Sequence, residues 1–199
     1  MIKKIVFMGT PNFSIPILKS IYQNGYPVSV VYTQPPQKSK RGHKINKSPI
    51  QTFSENLNYE IRMPNSLKNN KEEINFFKNL QPDLVIVVAY GQIIPREYLD
   101  LSKHGFINIH ASILPKWRGA APIQRSLINS DSETGISIMK ISEKLDEGPV
   151  CRKFPIKINE NENAEELSLR LSNLAAEKIL DCLDDIFDEN LEFVEQDHS

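Results

Sequence analysis

Asp83 to Ala89 reads DLVIVVA, and Leu84 to Val88 offers water no polar side chain at all. A strand points successive side chains to opposite faces, so a run like this has to be covered on both. The central strand of a parallel sheet, with helices above and below, meets that condition, and the rest of the chain must supply the cover. Lys3 to Met8 is a short apolar strand ending at Gly9. A Thr-Pro-Asn helix start follows, then Phe13, Ile17 and Ile21 recur every fourth residue until Asn24-Gly25 closes the helix. Val28 to Tyr32 is a β-branched second strand. Such a β-α-β opening begins a doubly wound sheet.

Further along, Ser48 to Leu57 reads as a helix with Ser48 as N-cap and Pro49 as first residue. Asn70 to Leu80 is a weakly amphipathic helix, Pro95 to Asp100 a short one, and Phe106 to Ile109 the next strand. Ala121 to Asn129 is helical, with Pro122 in its first turn. Thr134 to Ile141 alternates and predicts a strand exposed on one face. The short connection from there to a strand at Val150 to Ile158 predicts an antiparallel pair. Asn163 to Asp188 is a long helix with apolar residues at 167, 171, 174, 175, 179, 182, 183 and 186, one buried face. The fold class expected is α/β: a Rossmann-like, doubly wound, mostly parallel sheet with an antiparallel C-terminal extension and a long C-terminal helix.

Gln34 to Lys47 stands apart. It holds two prolines, one glycine, five Lys/Arg and His43, with Ile45 its single aliphatic residue, so it reads as a long polar loop. The net charge of −1 conceals an asymmetry around it. All eight charged side chains before Glu55 are basic, whereas from Ser142 onward sixteen acids face six bases. A polyanionic partner is therefore expected near the N-terminal third and not near the C-terminus. With 40% apolar residues the chain can build a core. No run is long enough to span a membrane, and the apolar stretch after Lys3-Lys4 is too short for a signal peptide, so a cytoplasmic protein is expected. Cys151 and Cys182 lack metal spacing and read as reduced thiols.

The chemistry converges on Phe106 to Arg125, FINIHASILPKWRGAAPIQR. Asn108 and His110 stand two apart at a strand end and project to one face, at the carboxyl edge where open α/β sheets bind ligands. Gly119 permits close backbone approach. Other sites are weaker. Gly9-Thr10-Pro11 occupies a β-α turn where phosphates often bind, but neither GxGxxG nor GxxxxGK[ST] is present, and a tight turn with a Thr cap accounts for it. His43, His104, His110 and His198 form no HExxH pattern. His104 and His110 would lie roughly 20 Å apart if extended, so no metal is expected. Ser112 lacks a GxSxG elbow. A lone strand-end histidine is by default structural; what lifts His110 is its company. Asn108 offers an amide donor, and Asp146 lies in a Gly-containing loop after a strand. A carboxylate facing the imidazole would orient it. The trio suits acyl transfer to an amine, in which an oxyanion is stabilised and a proton removed without a covalent nucleophile. A plain loop cap remains the alternative for Asp146.

These segments, with Gly9 to Phe13, Val88 to Gly91 and Leu145 to Pro149, resemble the 10-formyltetrahydrofolate-dependent formyltransferases over nearly all 199 residues. The resemblance implies that Asn108, His110 and Asp146 are the catalytic Asn, His and Asp. Asn108 and protonated His110 would hold the oxyanion as an amine attacks the formyl carbon, while Asp146 orients His110 and helps remove the amine proton. Ser112, Ile113, Leu114 and Pro115 match the family's folate-contacting SLLP. Tyr90, Gly91 and Ile93, with the rest of Val88 to Ile94 and the 142–148 loop, would complete a pterin pocket. The co-substrate implied is 10-formyltetrahydrofolate, with no metal. RGAAPIQR and the basic loop are most similar to members that formylate the methionyl group on initiator tRNA. By that likeness Lys38, Lys40, Arg41, Lys44 and Lys47 belong to a flexible loop that meets the tRNA acceptor arm and is poorly ordered without it. Members acting on a sugar amine or a glycinamide nucleotide remain alternatives, as does a non-catalytic nucleic-acid-binding module. Ala111 and Ile113 depart from the family's usual Gly and Leu. Residues 1–189 would form the catalytic domain of a monomer, and 190–199 the start of a linker to an OB-like tRNA-binding domain that is missing here.

Overall fold

The computed structural model of the chain describes residues 3–38 and 45–197. Strand β1 (Ile5–Gly9), helix α1 (Ile15–Gln23) and strand β2 (Val28–Tyr32) form the expected opening, with a short 3-10 turn at Asn12–Ser14 leading into α1. Next come β3 (Gln37–Lys38), β4 (Ile45–Asn46), α2 (Pro49–Asn56), β5 (Ile61–Arg62), α3 (Lys71–Leu80), β6 (Leu84–Val88) and α4 (Arg96–Leu99). The chain continues through β7 (Phe106–His110), α5 (Pro122–Ile128), β8 (Glu133–Lys140), β9 (Val150–Lys157) and α6 (Ala164–Phe187). Seven strands make one sheet in the order β5-β2-β1-β6-β7-β8-β9. It is parallel from β5 to β7 and antiparallel from β7 through β9.

The apolar run at β6 is buried at every position, as is β1 beside it. Alternate residues enter separate cores. Ile5, Phe7, Leu84, Ile86 and Val88 pack with α1 and α6, while Val6, Met8, Val85 and Val87 pack with Phe77 of α3 and Tyr98 of α4. Helix α6 presents Leu167, Leu171, Ala175, Ile179, Cys182, Leu183 and Ile186 to the first core, close to the periodicity in the sequence. Its start is set by a capping box: Asn163 accepts from the backbone of Glu166, and the Glu166 carboxylate accepts from the backbone N–H of Asn163. Ser48 caps α2 as expected, accepting from the Gln51 N–H.

Three readings change. Strand β8 is not exposed on one face; residues 134–139 are all buried. Ile136 and Ile138 join the α6 core, and on the other side Ser137 is covered by the turn after β7, its hydroxyl donating to the Ser112 carbonyl and accepting from the Leu114 N–H. The polar stretch from Gln34 to Lys47 is not all loop, because β3 and β4 pair antiparallel within it. The two-residue edge strand β5, parallel to β2, has no counterpart in the sequence reading. Beyond α6 the chain returns to β9, where Val194 and Val150 exchange backbone hydrogen bonds of 2.8 and 3.0 Å. Among the described residues no helix is long and apolar enough to cross a membrane.

Candidate active site

The sheet changes winding direction between β1 and β6. From β1 the chain moves outward to β2; α3 then brings it back to β6 on the other flank of β1. Crevices at such switch points are where open α/β sheets take ligands. A cavity of about 720 Å³ opens there, walled by residues 11–13 after β1, Val87 and residues 89–94 at and after the end of β6, 108–111 at the end of β7, 119–124 into α5 and 141–146 after β8. Its front walls are tied together. The Thr10 hydroxyl donates to the Tyr90 carbonyl at 2.7 Å, the Ser14 hydroxyl to Val88 at 2.7 Å, and the Gln34 amide to Gly91 at 2.8 Å. Thr10 is therefore not the cap that its sequence context suggested: its hydroxyl ties the turn after β1 to Tyr90 and accepts from the Gln34 N–H.

Asn108 and His110 reach the cavity from the same strand face, and the loop after β8 brings Asp146 to both. Asn108 Nδ2 donates to Asp146 Oδ1 at 3.2 Å, and His110 Nδ1 lies 3.6 Å from Asp146 Oδ2. Both His110 and Asp146 have largely buried side chains, 7% and 14% exposed, so the carboxylate must find its partners in the protein. A third partner is the backbone N–H of Gly119, 3.0 Å from Oδ2. Gly119 has a φ of +80°, a conformation that glycine adopts without strain. Close by, Gly148 leaves no room for a side chain, since a Cβ there would collide with the Lys140 carbonyl.

The second histidine nitrogen is also occupied. His110 Nε2 lies 2.9 Å from the Trp117 carbonyl, and because a carbonyl only accepts, Nε2 carries the proton. Trp117 is held in turn by Asp131, which accepts from its indole Nε1 at 2.7 Å and from Lys116 Nζ at 2.8 Å. Burial pushes the Asp131 carboxyl up, but Lys116, Asn129 and Trp117 outweigh it and keep the group below the usual carboxylate range. This support for His110 was not visible in the sequence, because the atom that does the work is a main-chain oxygen.

The expected folate contacts divide. Tyr90, Gly91 and Ile93 line the cavity, Ile93 standing 83% exposed at its rim and Tyr90 buried. Ser112, Ile113, Leu114 and Pro115 are outside the lining. Ser112 is buried, its hydroxyl donating to the Lys116 carbonyl at 2.5 Å, and Leu114 packs against Met139 and Val150. They brace the 112–117 turn, whose Leu114–Pro115 peptide is cis. Lining residues that the sequence reading did not single out include Phe13, Pro122 and, from α6, Ser168.

Of the basic loop, Lys40, Arg41 and Lys44 lie outside the described residues, and Lys38 sits in β3 opposite Ile45. Lys47 is exposed and donates to both Glu55 carboxylate oxygens at 2.9 and 2.7 Å. His104 lies away from the cavity, edge-on to Phe187 and buried, which lowers its pKa. Among the described residues no three His, Cys, Asp or Glu side chains gather as a metal site requires. Burial pushes the Cys151 thiol up to about 11 and the Cys182 thiol up to about 12, so neither is poised as a thiolate.

Comparison with known proteins follows the same lines. Residues 3–183 match the family described as formyl transferase. The methionyl-tRNA formyltransferase of Pelagibacter ubique is 64% identical over 197 residues, covering 99% of this chain and 64% of its own. The chain thus spans a little under two thirds of that relative. Among solved structures, the phosphoribosylglycinamide formyltransferase of Anaplasma phagocytophilum has a TM-score of 0.76 at 15% identity, covering 99% of this chain and 96% of that one. An N-formyltransferase from Helicobacter canadensis, in complex with folinic acid and dTDP-3-aminofucose, has a TM-score of 0.74 at 20% identity, covering 100% of this chain and 68% of that one. At these identities the likeness to the solved structures is one of fold.

Proposed function

The chain belongs to the formyl transferase family, and from that premise we propose that it transfers the formyl group of 10-formyltetrahydrofolate to the α-amine of methionyl initiator tRNA. The observation that carries the reading is the meeting of Asn108, His110 and Asp146 at the wall of a largely apolar cavity. The cavity is of the size that small-molecule sites have, roughly 300–1,000 Å³, and its largely apolar lining, with Val87, Ala89, Tyr90, Ile93 and Ile94 on one side, suits a pterin ring. Folinic acid in the Helicobacter canadensis protein of the same fold supports a reduced folate as the donor. The 64% identity to a methionyl-tRNA formyltransferase supports the acceptor.

In this reading the bound folate supplies an activated formyl carbon. Asn108 gives one amide proton to Asp146 and has a second for the oxyanion that forms when the amine attacks. His110 adds a second donor once Nε2 exchanges the Trp117 carbonyl for the oxyanion; such hydrogen bonds commonly tighten only when substrate is present. Asp146 holds the imidazole and, through a water, accepts the proton that the amine must lose; collapse of the oxyanion then breaks the bond from the formyl carbon to N10 of the folate, which takes up that proton and leaves as tetrahydrofolate. The basic stretch from Lys38 to Lys47 provides the contact with the tRNA acceptor arm, and Lys47 joins it by exchanging Glu55 for a phosphate. The catalytic unit takes in residues 1–189 together with the segment after them that returns to β9 at Val194.

The test offers the protein 10-formyltetrahydrofolate with methionyl initiator tRNA, an aminosugar nucleotide or a glycinamide nucleotide. Formyl-methionyl-tRNA should be the product. Formylation of either small amine in its place would reassign the acceptor, and tRNA binding without folate binding would leave only a nucleic-acid-binding module.

A further inference from the structure

The segment after α6 lies beyond the part of the chain that matches the family, which ends at residue 183. The two hydrogen bonds between Val194 and Val150 set its register, and that register delivers Gln196 to the back of the 146–148 loop. Gln196 is 6% exposed, unusual for a glutamine. Its carboxamide is committed at both ends. Nε2 donates to the carbonyls of Asp146, at 2.9 Å, and Gly148, at 2.7 Å. Oε1 accepts from Arg118 Nε at 3.0 Å and Nη2 at 2.8 Å.

Arg118 sits between the two backbone groups that orient the site. The carbonyl of Trp117 before it meets His110, and the N–H of Gly119 after it meets the Asp146 carboxylate. One planar amide therefore joins the Arg118 side chain to the 146–148 backbone, and His110 and Asp146 are aimed by the two stretches that it links. Asp146 has a φ of +51°, uncommon for a residue with a side chain although Asp tolerates it better than most, and a hold on the main chain favours it. The pair of bonds from Nε2 supplies that hold on the main chain, leaving the carboxylate free for Asn108, Gly119 and His110. Apart from the shorter asparagine, no other neutral side chain combines two N–H donors with a carbonyl acceptor.

We infer that Gln196 is a positioning residue: it holds the Asp146 main chain directly and, through the Arg118 side chain, the 117–119 segment that meets His110, without touching substrate. The kinetic meaning of this rests on the reading of Asp146 and His110 given above; the geometric meaning does not. Gln196→Ala removes both ends of the tie. Gln196→Glu keeps acceptors for Arg118 but cannot donate to the Asp146 and Gly148 carbonyls.

The experiment records the His110 ring resonances of the 199-residue chain by NMR, with Asp146→Asn as reference, alongside formyl transfer and thermal melting. Both Gln196 substitutions should move the His110 signals in the direction that Asp146→Asn moves them. Each should lower kcat about ten- to a hundredfold, the loss typical of displacing a reacting group by about 1 Å, with KM for methionyl-tRNA little changed. In the parent, the Gln196 side-chain amide protons should exchange slowly with solvent; rapid exchange would overturn the inference even if neither variant folds. His110 signals coincident with the parent's would overturn it too, as would a lower melting temperature with unaltered kcat. A parent that transfers no formyl group would refute the proposed reaction, while the NMR comparison would still decide the role of Gln196.

Discussion

Asp146→Asn conserves shape and removes one charge and one acceptor, and the structure shows what each should cost. In the parent the two carboxylate oxygens divide their work: Oδ1 accepts from Asn108 Nδ2 at 3.2 Å, and Oδ2 accepts from Gly119 N at 3.0 Å while facing His110 at 3.6 Å. An asparagine has one oxygen. If that oxygen stays with Gly119, its NH₂ opposes the NH₂ of Asn108, and Asn108 must turn its own carbonyl toward residue 146. If it stays with Asn108, its NH₂ opposes the Gly119 N–H, which cannot turn. Either way a buried donor is unpaired or the oxyanion donor is re-aimed, and an unpaired buried group costs about 1–3 kcal/mol. The loop itself should hold, because Gln196 grips the main-chain carbonyl of residue 146 and not its side chain. Loss of the proton acceptor costs more. General base catalysis contributes about 10²–10⁴ in rate, equivalent to about 2.7–5.4 kcal/mol of barrier at 1.36 kcal/mol per tenfold. Single-turnover transfer to methionyl-tRNA at saturating folate isolates the chemical step; urea melts and folate titration report stability and donor binding separately. The expected result is a rate lower by about 10²–10⁴, folate affinity close to the parent's, and a stability loss of about 1–3 kcal/mol. A rate close to the parent's in a folded, folate-binding variant would refute the assignment of Asp146.

Asn108→Ala should lower the same single-turnover rate by about 10²–10³, the usual cost of one oxyanion donor, and spare folate binding; parental turnover would remove it from the site. Glu73 accepts from Tyr32 Oη at 2.6 Å and from Arg62 Nε and Nη2 at 2.8 and 2.7 Å. Burial pushes its carboxyl up, but Arg62 and Tyr32 outweigh that and hold it below its ordinary value of 4.5. The contribution to stability is therefore present above pH 4.5 and lost as pH falls through the lower folded value. Glu73→Gln should cost about 1–3 kcal/mol near neutrality, since Arg62 loses its paired carboxylate but keeps Glu72 and Glu60 nearby, and flatten the acid limb of a urea-midpoint titration; an unchanged limb would count against the network. Replacing Arg41 and Lys44 with Ala should weaken use of tRNA and make the salt dependence of binding shallower, by about 0.9 in log–log slope for each duplex phosphate left without its cation, with folate affinity unchanged; equal salt slopes would make the loop a solvated surface. Transfer should survive chelators, because the proposed chemistry asks only for proton transfer and oxyanion donors; loss on chelation with recovery on adding zinc would reverse that view.

Much of the architecture was legible because it follows from local pattern. Leu84 to Val88 has no polar residue, so any fold must cover it twice, and the sheet does. The apolar positions of α6 repeat with the helical period and all face one core. Asn108 and His110 were legible as neighbours because strand geometry alone puts them on one side. Their convergence with Asp146, 38 residues from Asn108, followed only from family likeness. Pattern misled where cover comes from distant chain. Thr134 to Ile141 alternates like a half-exposed strand, yet the 112–117 turn closes over its second face through Ser137. Ser112 to Pro115, which family likeness gives as folate contacts, stand outside the cavity lining, with Ser112 bonded to Ser137 and Leu114 packed on Met139 and Val150.

By itself, then, the sequence determined the layered sheet, the helix that caps its C-terminal half and the residue types able to run acyl transfer, because hydrophobic period and side-chain chemistry are properties of short stretches. Only the tertiary structure decided how those residues are aimed. The Trp117 carbonyl on His110 is a main-chain atom that every residue carries, and the Gly119 N–H on Asp146 one that every residue but proline carries, so no residue identity announces them. Gln196 reaches Asp146 across 50 positions, in a register set by two backbone hydrogen bonds at Val150. Contacts of that kind exist only once the sheet has brought β9, the returning tail and the loop after β8 to the same edge.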